Sequence, residues 1–209
     1  MSNAERDHLK ANLLGMIAGQ GDGIDLDTPY RWNVKGIEEA ERFFRSLDSL
    51  LPADSVLYFE GCSIAREVSE FYESHRAKNP VAVVRDTISP TPDTYHVDFS
   101  PAVVTGLCEL TATRTSGEAF YHIKAYRGET LLFTFHDAFE GDLLISEHIA
   151  ESTVADFCIR LGVTYRQERN TKRDPEQLRR LLWALENPDQ VRFVGEPWWR
   201  RAWRRWTGW

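Results

Sequence analysis

In the first part of the chain, apolar residues recur every three or four positions, which predicts two amphipathic helices. The first covers residues 4–19, and the second covers about residues 37–51 and ends before Pro52, which cannot continue a helix. Residues 19–29 are rich in Gly and Asp and predict a linker between them. We therefore expect residues 1–52 to form an N-terminal helical segment that contains this linker.

The middle of the chain, residues 53–190, changes repeatedly between strand-like and helical patterns. Strands are predicted at residues 55–59, 95–99, 119–126, 130–135 and 143–145, with a short edge strand at 163–165. Helices are predicted at residues 64–75, 101–113, 151–161 and 175–187. Arg127, Gly128 and Glu129 join two of the strands in a hairpin. The expected fold class is α+β, a mainly antiparallel sheet covered by helices.

Several residues mark where these helices begin and end. Ser63 is the expected N-cap of the helix at 64–75, because its hydroxyl can accept a bond from an unpaired amide. Ser100 followed by Pro101 combines an N-cap with a proline that suits the first helical position. Gly162 is expected to end the helix at 151–161.

Alternation along the strands predicts which side chains face the helices. The inward-facing residues are expected to be Tyr95, Val97, Phe99, Tyr121, Ile123, Ala125, Leu131, Phe133 and Phe135. His96, His122 and His136 then share the opposite face, with Asp98 and Asp137 nearby. One interpretation is a solvated face that happens to carry histidines. The alternative is a metal or acid-base site, because imidazole and carboxylate groups serve both kinds of chemistry.

Two smaller features also carry candidate chemistry. Cys62 lies between a predicted strand and a predicted helix, so it is either a thiolate nucleophile or a small buried thiol at a turn. Cys108 and Cys158 lie on apolar helix faces and are expected in the core. The loop of residues 136–142 holds three carboxylates without the spacing of a calcium loop. Its Phe139 is expected either to plug the core or to project as a recognition anchor.

Composition and charge exclude several function classes. Hydrophobic residues make up 42% of the chain, enough for a packed core, and the net charge of -7 argues against a nucleic-acid-binding body. Three cysteines without a C-x-x-C pair favour a reducing compartment, so a cytoplasmic location is expected. No apolar run approaches the ~20 residues of a membrane span, and there is no signal-peptide pattern. No phosphate loop or dinucleotide fingerprint is present, so no cofactor is expected.

The C-terminal tail, residues 191–209, differs in composition from the rest of the chain. Five of the seven tryptophans and four arginines follow Glu196, and removing those arginines leaves a charge of -11 on residues 1–196. On a helix, one face carries Trp199, Trp203 and Trp206 and is flanked by Trp198 and Trp209. The other face carries Arg200, Arg201, Arg204 and Arg205. In composition this short stretch resembles Trp/Arg-rich membrane-active peptides. Docking on the acidic body, on a protein partner or on a membrane surface is the expected role.

These observations predict a protein-binding module, an interaction or inhibitor protein of the immunity type, rather than an enzyme. The expected partner is another protein or a second copy of the chain, and not a nucleic acid. The expected binding residues are those of the tail together with Phe139. Two alternatives remain open: an enzyme that uses His96, His122 and His136 in metal or acid-base roles, and a peripheral membrane protein that binds through the tail.

Overall fold

Seven antiparallel strands form one sheet in this computed structural model, which describes residues 23–87 and 91–170 together with Trp183 and Asn187. The strands are β1 Tyr30–Lys35, β2 Val56–Gly61, β3 Asp93–Asp98, β4 His122–Arg127, β5 Thr130–Phe135, β6 Leu143–Ser146 and β7 Thr164–Arg169. Their order across the sheet is β3-β2-β4-β5-β6-β1-β7. The predicted helix at 4–19, the tail, and the predicted helix at 175–187 apart from Trp183 and Asn187 lie outside the described residues.

Five α-helices accompany the sheet in the described part of the chain. They are α1 Ala40–Ser46, continued by a 3₁₀ turn at Leu47–Ser49, α2 Arg66–Ser74, α3 Pro101–Thr113, α4 Ser116–Ala119 and α5 Glu151–Leu161. The α+β fold class, with an antiparallel sheet packed against helices, is therefore confirmed. Among these residues no helix is both long enough and apolar enough to cross a membrane.

Strand β1 is a part of the sheet that the sequence pattern did not predict. It lies within the segment expected to be helical and pairs with β6 on one side and β7 on the other. Trp32 and Val34 face the helices and are buried, whereas Arg31 and Asn33 face the other way. The strand is short and follows the predicted linker, so its two inward side chains gave a weak alternation signal.

The helical side of the sheet contains the main core, as the alternation predicted. Ile123, Phe133 and Phe135 are completely buried there, and α1 contributes Phe43 and Phe44. The aromatic rings of this core meet mostly edge to face, which is their preferred contact geometry. The apolar face of the hairpin is therefore assigned correctly at these positions.

The helix boundaries agree with the prediction at two of three positions. The Ser100 hydroxyl accepts a hydrogen bond from the Val103 amide at 3.3 Å and caps α3. Gly162 ends α5 with a φ of 70°, a conformation that suits glycine. The Ser63 prediction is wrong, because α2 begins at Arg66 and its N-cap is Ala65, which has no side-chain cap.

A β-bulge in the hairpin changes which side chains face the helices. Ala125 pairs with Phe133 and Tyr126 pairs with Leu131, so Leu132 is an extra residue in β5. The extra residue shifts the alternation by one position. Leu131 therefore packs with Tyr126 on the opposite face, which corrects its predicted inward orientation.

The opposite face of the sheet is covered, and the prediction of a solvated face is therefore wrong. A covering segment, residues 81–87, crosses this face together with residues 24–26. The two segments meet in a parallel bridge between Ile24 and Val83. A second, smaller core forms beneath them from Leu26, Tyr58, Val83, Tyr126, Leu131 and Leu144. Polar strand residues such as Lys124 are consequently buried.

Candidate functional site

Two of the three predicted histidines lie together at one end of the covered face, where they form a cluster with Asp137. His122 is the first residue of β4, and His136 directly follows β5. Ile123 and Phe135 are paired across these strands, so the next residue outward on each strand faces its counterpart. The two imidazole rings stack with their centroids 4.3 Å apart. One nitrogen or oxygen atom from each member of the cluster lies within 4.8 Å of the others.

Asp137 contacts both histidines through different atoms. Its backbone N–H donates a 3.0 Å hydrogen bond to Nδ1 of His122, so that nitrogen carries no proton and the neutral ring is protonated at Nε2. Its Oδ2 lies 3.0 Å from Nδ1 of His136. Its Oδ1 lies 3.8 Å from Nδ1 of His122. The Asp137 carboxylate therefore lies within 4 Å of Nδ1 of both histidines.

The cluster is buried on one side and open on the other. His122 is only 5% exposed, whereas the side chains of His136 and Asp137 are 47% and 56% exposed. Burial lowers the pKa of His122, and the neighbouring His136 lowers it further. The neutral imidazole that this favours is the form that coordinates metal ions.

The loop that carries Asp137 has a constrained backbone. Asp137 and Phe139 both have positive φ angles, 47° and 73°, which are uncommon for residues other than glycine. Gly141 lies so close to His136 that a Cβ atom would come within 2.1 Å of its carbonyl oxygen. The loop therefore requires glycine there, and its geometry holds His136 and Asp137 beside His122.

Phe139 packs into the main core from this same loop. Its ring centroid lies 5.3 Å from that of Phe135 and 5.6 Å from that of Phe43. This position matches the core-plugging alternative and not the recognition anchor. The contacts also fix the middle of the loop to the helical side of the sheet.

Buried charges that the sequence analysis missed lie next to the cluster. Glu60 is directly opposite His122 in the β2–β4 ladder and is completely buried. Its carboxylate accepts hydrogen bonds from the backbone amides of Asp86 and Thr87 at 2.9 and 3.0 Å. Lys124 is 1% exposed and lies 3.2 Å from the Asp86 carboxylate. Arg85 as well as Lys124 acts electrostatically on this region, so two basic residues accompany the two acidic ones.

His96 lies outside the cluster, although it was expected on the same face. It is on β3, which β2 separates from β4. Its Nδ1 is hydrogen-bonded to the Tyr126 hydroxyl at 2.9 Å, and that hydroxyl also accepts a bond from the Val81 amide. Burial lowers the pKa of His96, and Arg76 lowers it further. The Tyr126 hydroxyl therefore links His96 to the covering segment by hydrogen bonds.

The cysteines lie apart from this cluster. Cys62 is half-buried in the turn after β2, and α2 begins only at Arg66, so the expected position at a helix N-terminus is not formed. Cys108 and Cys158 are buried in the main core, as predicted. Burial raises the pKa of the Cys158 thiol to about 11, which keeps it protonated at neutral pH.

The predicted binding residues of the tail lie outside the described residues. They are Trp198, Trp199, Arg200, Arg201, Trp203, Arg204, Arg205 and Trp206. Binding of a protein partner, self-association and membrane contact through the tail consequently stay predictions. Comparisons of the chain with known protein families, with curated proteins and with solved structures found no match.

Proposed function

We propose that this chain is a metalloprotein that binds one divalent transition-metal ion, such as Zn²⁺, through His122, His136 and Asp137. The observation that carries the proposal is the convergence of one donor atom from each residue within 4.8 Å. Two imidazoles and a carboxylate are a common ligand set for zinc and for iron(II). This function corresponds to the enzyme alternative, without the participation of His96.

The distances in the cluster suit such an ion. Zinc ligands at about 2.0–2.1 Å in tetrahedral geometry lie about 3.4 Å from one another. The two Nδ1–carboxylate distances, 3.0 Å to His136 and 3.8 Å to His122, lie on either side of that value. These distances involve different oxygens of Asp137, and Nδ1 of His122 accepts a hydrogen bond from the Asp137 amide, so an ion bound by all three residues requires side-chain movement and release of that nitrogen.

The proposed chemistry is that of a Lewis acid with an open position. Three protein ligands leave the fourth position of a tetrahedral ion to water, which is the arrangement of catalytic rather than structural zinc sites. The exposed side of the cluster, formed by His136 and Asp137, would admit that water or an oxygen atom of a substrate. An ion held by these three residues would supply Lewis-acid chemistry, and hydrolysis is the reaction class that we propose for it.

Titration calorimetry with Zn²⁺ on the full-length chain tests the proposal. Wild type should bind one ion per chain, and H136A and D137A should each weaken binding at least about tenfold. Both side chains are exposed, so their loss removes little packing. D137A also places an alanine at a φ of 47°, which costs about 1–2 kcal/mol, so a thermal melt without metal checks that the variant is folded. H148A is the matched control. His148 is also exposed, but it lies after the C-terminal end of β6 and before α5, whereas the cluster lies near the N-terminal end of β6. Stoichiometric binding that H136A and D137A leave unchanged would contradict the proposal.

A further inference from the structure

We infer that metal binding at this site breaks the hydrogen bond between the Asp137 amide and His122, so that metal occupancy sets the conformation of the His136–Asp137 peptide. The inference rests on the proposed metal site and adds its conformational consequence. The metal ion and the Asp137 N–H would compete for Nδ1 of His122, and the conformation of the loop would depend on which of the two is bound there.

The competition follows from the geometry of His122. Its Nδ1 accepts the Asp137 N–H at 3.0 Å and is also the nitrogen that lies 3.8 Å from the Asp137 carboxylate. An imidazole nitrogen has a single lone pair, so it binds either the amide or a metal ion. The hydrogen bond already leaves Nδ1 unprotonated and the proton on Nε2. Metal binding at His122 therefore requires loss of the amide bond but no change of tautomer.

At His136 the metal would take the place of a proton. Nδ1 of His136 and Oδ2 of Asp137 are 3.0 Å apart, so in the tautomer that carries its proton on Nδ1 this proton faces the carboxylate. A metal ion there is coordinated by both atoms, and the proton moves to Nε2 of the same neutral ring through solvent. The number of protons on His136 is unchanged, and no oxidant or other reactant is needed.

The rest of the loop is fastened independently of His122. The Ala138 amide donates to the Tyr121 carbonyl at 2.8 Å, and the Gly141 amide donates to the Asp137 carbonyl at 2.7 Å. Phe139 is held in the main core. Only the Asp137 amide loses its acceptor. Because the positive φ of Asp137 is a strained backbone conformation, the peptide should rotate to relieve that strain once the hydrogen bond is lost. The change should therefore be confined to the peptide between His136 and Asp137.

Amide hydrogen exchange by NMR, measured on the full chain with and without saturating Zn²⁺, tests the inference. The Asp137 amide should exchange at least about tenfold faster with Zn²⁺ bound, because its acceptor is lost. The Ala138 amide is the internal control and should not change. H122N is the matched variant, since the asparagine Oδ1 can accept from the Asp137 amide but is a poorer zinc ligand. In H122N the Asp137 amide should stay protected when Zn²⁺ is added.

Calorimetry on the same samples separates the two ways of failing. If Zn²⁺ binds to wild type through the cluster and Asp137 exchange is unchanged or slower, the coupling is wrong while the metal site stands. If no Zn²⁺ binds, the proposed function is wrong, and the coupling is overturned with it.

Discussion

The two faces of the sheet are stabilised in different ways. The helical face is apolar and is sealed by five helices, with aromatic side chains such as Phe43 and Phe133 at its centre. The other face is covered by irregular segments that are held by buried polar groups, among them Glu60, Lys124 and Tyr126. The first face provides a non-directional hydrophobic core, whereas the second depends on specific partners. The candidate site lies on the second face, where charged groups are already desolvated.

The largest expected effect is on the helical face. F133A should destabilise the protein by about 3–5 kcal/mol, because it removes a completely buried aromatic ring and leaves a cavity. Urea denaturation measures the loss. I159A is the control, since Ile159 is 75% exposed and its truncation should cost less than about 0.5 kcal/mol. A loss below about 1 kcal/mol for F133A would show that this ring does not lie in the core.

Removal of the buried ammonium on the covered face should cost somewhat less, about 3 kcal/mol. K124M keeps the length of the side chain but removes the ammonium that lies 3.2 Å from the Asp86 carboxylate and donates to the Val84 carbonyl. We also measure D86N and the double variant K124M/D86N in urea. The double variant should lose at least about 1 kcal/mol less stability than the sum of the two single variants. Strictly additive losses would mean that the two charges do not stabilise each other.

A smaller effect is expected at the hydroxyl that fastens the covering segment. Y126F removes the acceptor of the Val81 amide and the partner of His96, which should cost about 0.5–1.5 kcal/mol. Y121F is the matched control, because Tyr121 is exposed. Equal stability of Y126F and Y121F in urea would show that the hydroxyl does not hold the segment.

The smallest effect concerns pH. The pKa of His96 lies below its ordinary 6.5 in the folded protein, so between that lowered pKa and pH 6.5 the unfolded chain binds more protons than the folded chain, and stability falls as the pH falls. Wild type should therefore lose more stability than H96N between pH 7 and pH 5, the range in which histidine titrates. Asparagine keeps an acceptor near Nδ1, and His122 is present in both proteins. Parallel stability curves would contradict the prediction.

The sequence predicted the helical face better than the covered one, for physical reasons. Alternation of apolar side chains is a local signal, and it identified Ile123 and Phe133 as core residues. The bulge at Leu132 is not local, because it depends on the pairing of two strands. Strand β1 carries few apolar residues and is stabilised by its neighbours β6 and β7. Its inclusion in the sheet depends on contacts that a sequence pattern does not contain.

The candidate site was only partly predictable for a similar reason. His122 and His136 were expected on one face because each alternates along its strand with apolar residues expected to face the helices. The position of His96 depends on strand order, and β2 lies between it and the other two. Glu60 and Lys124 were missed because charged residues are normally expected at the surface. The signal that could have identified Glu60 is its place in the otherwise apolar run of β2.

X-ray absorption spectroscopy on the Zn²⁺-loaded full chain tests the central claim most directly. The account predicts a first shell of nitrogen and oxygen atoms at about 2.0–2.1 Å, with outer-shell scattering from two imidazole rings. In D137A the zinc content after dialysis should fall while H148A retains it. A shell that contains sulfur at about 2.3 Å, or a wild-type protein that holds no zinc after dialysis, would contradict a site formed by His122, His136 and Asp137.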